Sequence, residues 1–252
     1  MPEPITLHAA AASETGLVRQ SNEDAAYAGR WLFAVADGLG GHAAGELASA
    51  AVIETLRAYD RDVDPGEALR TLSLAVREAN AEVACRAAED SSRRGMGTTL
   101  TAVLHAGDRL ALVHIGDSRA FRLRDGQLRQ ITEDHSMSNL VSNAGQLAEF
   151  ITRFLDGRAD RSPDLILRDL KAGDRYLLCS DGLSPVVSDA AVHEVLTSAA
   201  DPETAVRALV ALAVAEGAPD NVSVVVIDVS NGGSEAEPVP AVLGSAAGAL
   251  TR

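Results

Sequence analysis

Short apolar runs and longer amphipathic ones follow one another in blocks along this chain, and that order restricts the available folds more than any other feature. A strand-like run at 31–35 is followed by two successive segments, 43–58 and 65–88, with apolar residues at three- and four-residue spacing. Strand-like runs then come together at 98–104, 109–115 and 120–123, joined by the turn signals "HAGDR" and "RDGQ". A further strand at 175–179, two helices at 189–198 and 202–215, and a last strand at 222–229 complete the pattern. A doubly wound parallel sheet requires regular alternation of strand and helix, so the expectation is antiparallel sheets packed together and covered by helices. Only 3% of the 252 residues are aromatic while 46% are hydrophobic, which predicts an aliphatic core and one domain. That domain is expected over residues 5–230. Residues 231–252, rich in Gly, Ser, Pro and Ala, read as a flexible tail outside the fold.

Charge and cysteine usage exclude several function classes. A formal charge of -14 with no basic stripe disfavours a nucleic-acid partner. The N-terminal sequence lacks the pattern of a secretory signal, and no run is long and apolar enough to span a bilayer. Cys85 and Cys179 are too few and too isolated for a disulfide framework or a zinc site, so a reducing compartment, the cytoplasm, is expected.

The chemistry is concentrated where apolar runs meet aspartate. In "WLFAVADGLGGHAAGE" a buried run ends on Asp37 and opens into glycines. The match to a dinucleotide-binding G-x-G-x-x-G/A pattern is weak. An acidic residue should end a second strand about twenty residues later, where this chain is still helical, and Asp37 would sit close to the pyrophosphate. No Gly-Lys-Ser/Thr follows, which excludes a Walker loop. A metal site accounts for both features, since Asp37 presents a hard oxygen and Gly38 leaves its carbonyl accessible. Asp181 follows "RYLLC", Asp220 precedes "NVSVVVIDV", Asp117 lies between two strands in "HIGDSRAF", and "GLVRQSNED" brings Asp24 and Glu23 close to Arg19. One such aspartate is a turn residue; several at strand ends suggest a constellation.

Taken in order, "GLVRQSNED", "VADGLGGHAAGELAS", "GMGTTL", "IGDSRAF", "ITEDHS", "LLCSDGLS" and "PDNVSVVVI" resemble the metal-dependent protein serine/threonine phosphatases of type 2C, in their short bacterial form. The resemblance runs from about residue 6 to 229. It implies an α+β fold, a four-layer αββα sandwich of two mainly antiparallel sheets flanked by helix pairs, with the metal centre at one end. By carry-over, Asp37 bridges two Mn²⁺ or Mg²⁺ ions, the Gly38 carbonyl serves one, and Asp181 and Asp220 serve the other. Asp24 holds metal-bound waters or ligates directly, Asp117 and Asp181 form a third, weaker site, and Arg19 grips the substrate phosphate. Leu39 stands where many eukaryotic relatives carry a histidine proposed as general acid; the resemblance offers His42, three residues on, as a candidate acid, with a metal-bound water as the alternative. Residues 134–157 correspond to the family's flap, shortened here, with His135 stabilising its base. The implied reaction is hydrolysis of phosphoserine and phosphothreonine on proteins, the substrates of Ser/Thr kinases, by a monomer. Two alternatives remain, a low-turnover module that binds phosphoproteins and a small-molecule phosphatase.

Overall fold

Alternation with period two divides the central strands between apolar layers, as a computed structural model covering residues 4–40, 44–137, 150–232 and 240–247 makes explicit. In β3 (Leu32–Ala36), Leu32, Ala34 and Ala36 enter one core cluster while Phe33 and Val35 enter another. In β12 (Val222–Asn231), Val222, Val224 and Val226 face one way and Val225, Ile227 and Val229 the other. A strand buried on both faces needs cover on both sides, which a sandwich clad in helices supplies.

The first sheet has five strands in the order β1 (Ile5–Glu14), β12, β11 (Arg175–Cys179), β8 (Arg119–Arg124) and β9 (Gln127–Gln130). The second has six, in the order β10 (Asp164–Asp169), β7 (Arg109–Ile115), β6 (Leu100–Ala106), β3, β2 (Ala25–Ala28) and β13 (Ala241–Gly244). A ribbon of β4 (Gly38–Leu39) and β5 (Gly97–Thr98) extends beyond β3. Every strand pairing among the described residues is antiparallel. Phe33, Val103 and Leu112 meet Tyr176, Leu178 and Ile227 between the sheets. Helices α1 (Ala44–Arg57) and α2 (Ala68–Glu89) bury Ile53, Leu56, Leu72 and Val76 on the six-stranded sheet. Helices α3 (Asp189–Ser198) and α4 (Pro202–Ala215) bury Val192, Leu196 and Leu209 on the other. The expected α+β sandwich with layers αββα is the fold observed.

Both helices of the second pair start where the sequence marks them. Ser188 accepts from the Ala191 N–H and Asp201 from the Thr204 N–H, with Pro202 at the first helical position. The C-terminal segment departs from expectation. Instead of a tail wholly outside the fold, residues 241–244 pair with β2 at the sheet edge, and Ala246 is buried in the core beneath α1. Four backbone pairings and one small apolar contact decide the matter, although the local composition is that of a linker. Among the described residues no helix is long and apolar enough to cross a membrane.

Candidate metal centre and phosphate site

Register carries the aspartates to one end of the sandwich. Ala25 pairs with Ala36, which sets Asp24 beside Asp37, and Leu100 pairs with Ile115, which brings the Asp117 loop to the same edge. In the five-stranded sheet Cys179 pairs with Val224, so Asp181 and Asp220 emerge together. The two pairs meet across the sandwich. The Ser180 hydroxyl donates to Asp24 Oδ2 at 2.7 Å and accepts from the Ser223 N–H at 3.0 Å.

Backbone contacts fix each carboxylate. The Asp37 N–H donates to Thr99 Oγ1 at 3.0 Å, and its carbonyl accepts from the Thr99 N–H at 2.9 Å and the Thr98 hydroxyl at 2.8 Å. Thr99 Oγ1 in turn contacts Ser118 Oγ at 2.8 Å, joining the Asp37 and Asp117 loops. "GMGTTL" therefore does more than shape the sheet. Gly38 has no room for a Cβ, which would collide with the Gly45 and Glu23 carbonyls. Gly182 is equally confined, against the Asn221 carbonyl. Asn221 donates to the Thr15 and Ser21 carbonyls at 2.8 and 2.9 Å and accepts from the Glu23 N–H at 2.8 Å, holding the N-terminal loop to the start of β12.

Electrostatics shows how close the carboxylates lie. Burial pushes the Asp24 carboxyl up to about 7, helped by the charges of Asp181 and Asp220 and opposed by its hydrogen bonds. Desolvation raises Asp37 well above the usual carboxylate range, with the charges of Asp24 and Asp181 adding to it. Asp117 rises to about 7 through burial and then the charge of Asp181. Its Oδ1 is buried without a hydrogen-bond partner. Among the described residues no group of three His, Cys, Asp or Glu side chains is arranged as it stands to hold a metal ion. The donor set nevertheless fits a hard cation, because desolvated, mutually repelling carboxylates and an orphaned oxygen are the groups a divalent ion stabilises, and their oxygens suit Mn²⁺ or Mg²⁺.

Arg19 reaches this cluster from the rim. Its Nη2 lies 2.6 Å from Asp220 Oδ2, and this bond is the main reason its pKa is raised. Its ion-pair partner is Asp220, with the charge of Glu23 also acting on it. A cleft of about 360 Å³ opens beside the cluster, lined by Asp117, Arg119, Asp181, Pro185, Pro219 and Asp220. Arg119 is held bidentately by Asp134 at 2.7–3.1 Å. His135 stands at the flap base, where its Nδ1 accepts from the Gly116 N–H at 3.1 Å and its ring lies 4.8 Å from that of His114. The candidate acid His42 lies outside the described residues. Arg19, Asp24, Asp37, Gly38, Asp117, Asp181 and Asp220 all belong to this one end. Sequence reasoning missed Ser180 and Asn221, although each adjoins a predicted ligand in "SDG" and "PDN".

A family model described as protein phosphatase 2C matches residues 14–217. The serine/threonine protein phosphatase PstP of Mycobacterium tuberculosis is 48% identical over 235 residues, which cover 89% of this chain and 45% of that protein. The chain therefore spans about half the length of that relative. The crystal structure of the M. tuberculosis phosphatase superposes with a TM-score of 0.85 at 46% identity, covering 90% of this chain and all of that one. A structure of the PstP catalytic domain, 48% identical with a TM-score of 0.85 and the same coverage, was determined in complex with two manganese ions. PppA of Pseudomonas aeruginosa, 34% identical, superposes with a TM-score of 0.82 over 89% of this chain and 99% of its own.

Proposed function

The chain belongs to the protein phosphatase 2C family, and from that premise we propose that it hydrolyses phosphoserine and phosphothreonine on proteins. The observation carrying this reading is the convergence of Asp24, Asp37, Asp181 and Asp220 from both sheets, with Arg19 bonded to the last of them. Asp37, the Gly38 carbonyl, Asp24, Asp181 and Asp220 would hold two Mn²⁺ or Mg²⁺ ions, and Asp117 with Asp181 a third. Bound there, such ions neutralise phosphate oxygens and make water a competent nucleophile at neutral pH.

The chain's own groups prepare that chemistry. The Ser180 hydroxyl favours the ionised form of Asp24, and the Thr98–Thr99 contacts fix the backbone from which Asp37 projects. Arg19 offers a planar guanidinium whose present bond to Asp220 holds it at the cleft mouth. A phosphate monoester entering the cleft would compete with Asp220 for that fork, which aligns the ester against the carboxylate cluster. We infer a cytoplasmic monomer acting on products of Ser/Thr kinases; two free cysteines support the reducing compartment.

The test is phosphate release from a phosphothreonine peptide and from soluble phosphate esters, with and without Mn²⁺, beside Asp181→Asn. Mn²⁺-dependent turnover of the peptide that collapses in the variant is expected. Turnover of soluble esters alone would shift the assignment to a small-molecule phosphatase. Peptide binding without turnover by folded, Mn²⁺-loaded protein would identify a binding module.

A further inference from the structure

Asp24 is gripped from behind by the C-terminal strand. In β13, Gly244 pairs with Ala25, the residue after Asp24. The Ser245 N–H donates to the Asp24 carbonyl at 2.7 Å. The Ser245 hydroxyl contacts Ser49 Oγ at 2.8 Å, and Ser49 in turn donates to the Glu23 carbonyl at 2.5 Å. Two successive carbonyls, those of Glu23 and Asp24, are thus held by α1 and the C-terminal segment. Gly244 has a φ of +69°, and a Cβ there would collide with the Asp24 carbonyl, so only glycine permits this approach.

We propose that Gly244 and Ser245 are positioning residues for the metal centre, setting the backbone from which the Asp24 carboxylate enters the cluster. On its other side Asp24 is fixed by the Ser180 hydroxyl and by its own N–H bond to Asn22 Oδ1 at 3.1 Å. The carboxylate therefore hangs between two sheets, with the Ser245 N–H as its tether on the six-stranded side. Among the described residues β13 is an edge strand that pairs with β2 alone, so its loss leaves the rest of the sheet paired. Val242 and Ala246 pack into the cluster beneath α1 and keep the strand seated. The inference rests on Asp24 serving the metal site, and it gives residues 241–246 a part in that site which their linker-like composition hides.

The decisive comparison is Ser245→Pro against Ser245→Ala in the full chain, read by calorimetric titration with Mn²⁺ and by the Mn²⁺ concentration for half-maximal turnover. Residues 245–247 form a 3₁₀ turn, whose start suits proline's φ; Ser245→Pro removes the N–H and sets its ring carbon against the Asp24 carbonyl, and Ser245→Ala isolates the hydroxyl lost with it. Mn²⁺ affinity is expected to fall roughly tenfold in Ser245→Pro, as for one lost buried hydrogen bond, and by less than about twofold in Ser245→Ala. Gly244→Ala, which pushes on the same carbonyl, should weaken Mn²⁺ binding as well and serves if Ser245→Pro does not fold. Val242→Ala loosens the strand without touching the tether and controls for general destabilisation. Unchanged Mn²⁺ affinity in both Ser245→Pro and Gly244→Ala overturns the proposal, as does an equal loss in Val242→Ala at matched melting temperature. If even the wild type shows no turnover, the phosphatase reading fails while the Mn²⁺ titration still decides the role of Ser245.

Discussion

Removing one hydroxyl, in Ser180→Ala, should change both the affinity and the pH dependence of metal binding. Ser180 is fully buried, and its Oγ is a donor to Asp24 Oδ2 and the acceptor for the Ser223 N–H. A buried hydrogen bond to a charged group contributes about 1.5–3 kcal/mol, so its loss raises the Asp24 carboxyl by about one to two units above a value already near 7. At neutral pH the ionised form then becomes a minor species. Mn²⁺ must compete with a proton, and its affinity should drop about 10- to 100-fold. Because the deficit is a protonation, it should shrink as pH rises. Titration calorimetry at pH 6.5 and 8.5 reads both quantities, and the gap between wild type and variant should be smaller at the higher pH. The orphaned Ser223 N–H should also cost about 1–3 kcal/mol of stability, visible as a lower melting temperature in EDTA. Affinity within twofold of wild type at pH 6.5, or a gap that does not change with pH, would refute the reasoning.

Other outcomes follow from the same geometry. Asp37→Asn should abolish turnover yet melt higher than wild type in EDTA at pH 8, by about 2–4 °C for each kcal/mol of relieved desolvation and repulsion, and the gain should vanish at about pH 3, below the unfolded carboxyl's own range, where Asp37 is protonated in both states. Arg19→Ala should raise KM for a phosphopeptide about 10- to 100-fold while leaving Mn²⁺ binding equal or tighter, because Asp220 loses its competing partner. His114 is depressed to about 4, first by burial and then by His135. Between pH 6.5 and 4 the unfolded chain takes up a proton the folded one refuses, so stability falls with acid by up to about 3 kcal/mol. Urea unfolding of wild type and His114→Gln at pH 7 and 4.5 checks this, the variant showing the smaller loss.

The sequence was most legible where pattern and chemistry coincide. The valine-rich run of β12 and the apolar run of β3 announce themselves as strands, and the aspartates at their ends are placed by the chain's own punctuation. What was missed has physical causes. β1 carries a run of alanine, a poor strand former, from Ala9 to Ala12, yet all ten of its residues pair with β12, so tertiary pairing overrides propensity. β10 reads Asp-Leu-Ile-Leu-Arg-Asp, without a polar–apolar alternation, and at the sheet edge it leaves Leu165 and Leu167 exposed. β13 is only four residues long and lies in Pro- and Gly-rich sequence, with its partner more than two hundred residues upstream. Local periodicity holds no information about such a pairing. Ser180, Asn221 and Ser245 act through hydrogen bonds to groups distant in sequence, and their residue types also suit turns and caps.

Anomalous diffraction from crystals grown with Mn²⁺ tests most directly the claim that carboxylates from both sheets form one metal centre. The account predicts two strong peaks about 3.5–4 Å apart, both within bonding distance of Asp37, with Asp181 and Asp220 on one of them. Peaks absent from this cluster, or confined to sites that do not touch Asp37, would contradict it.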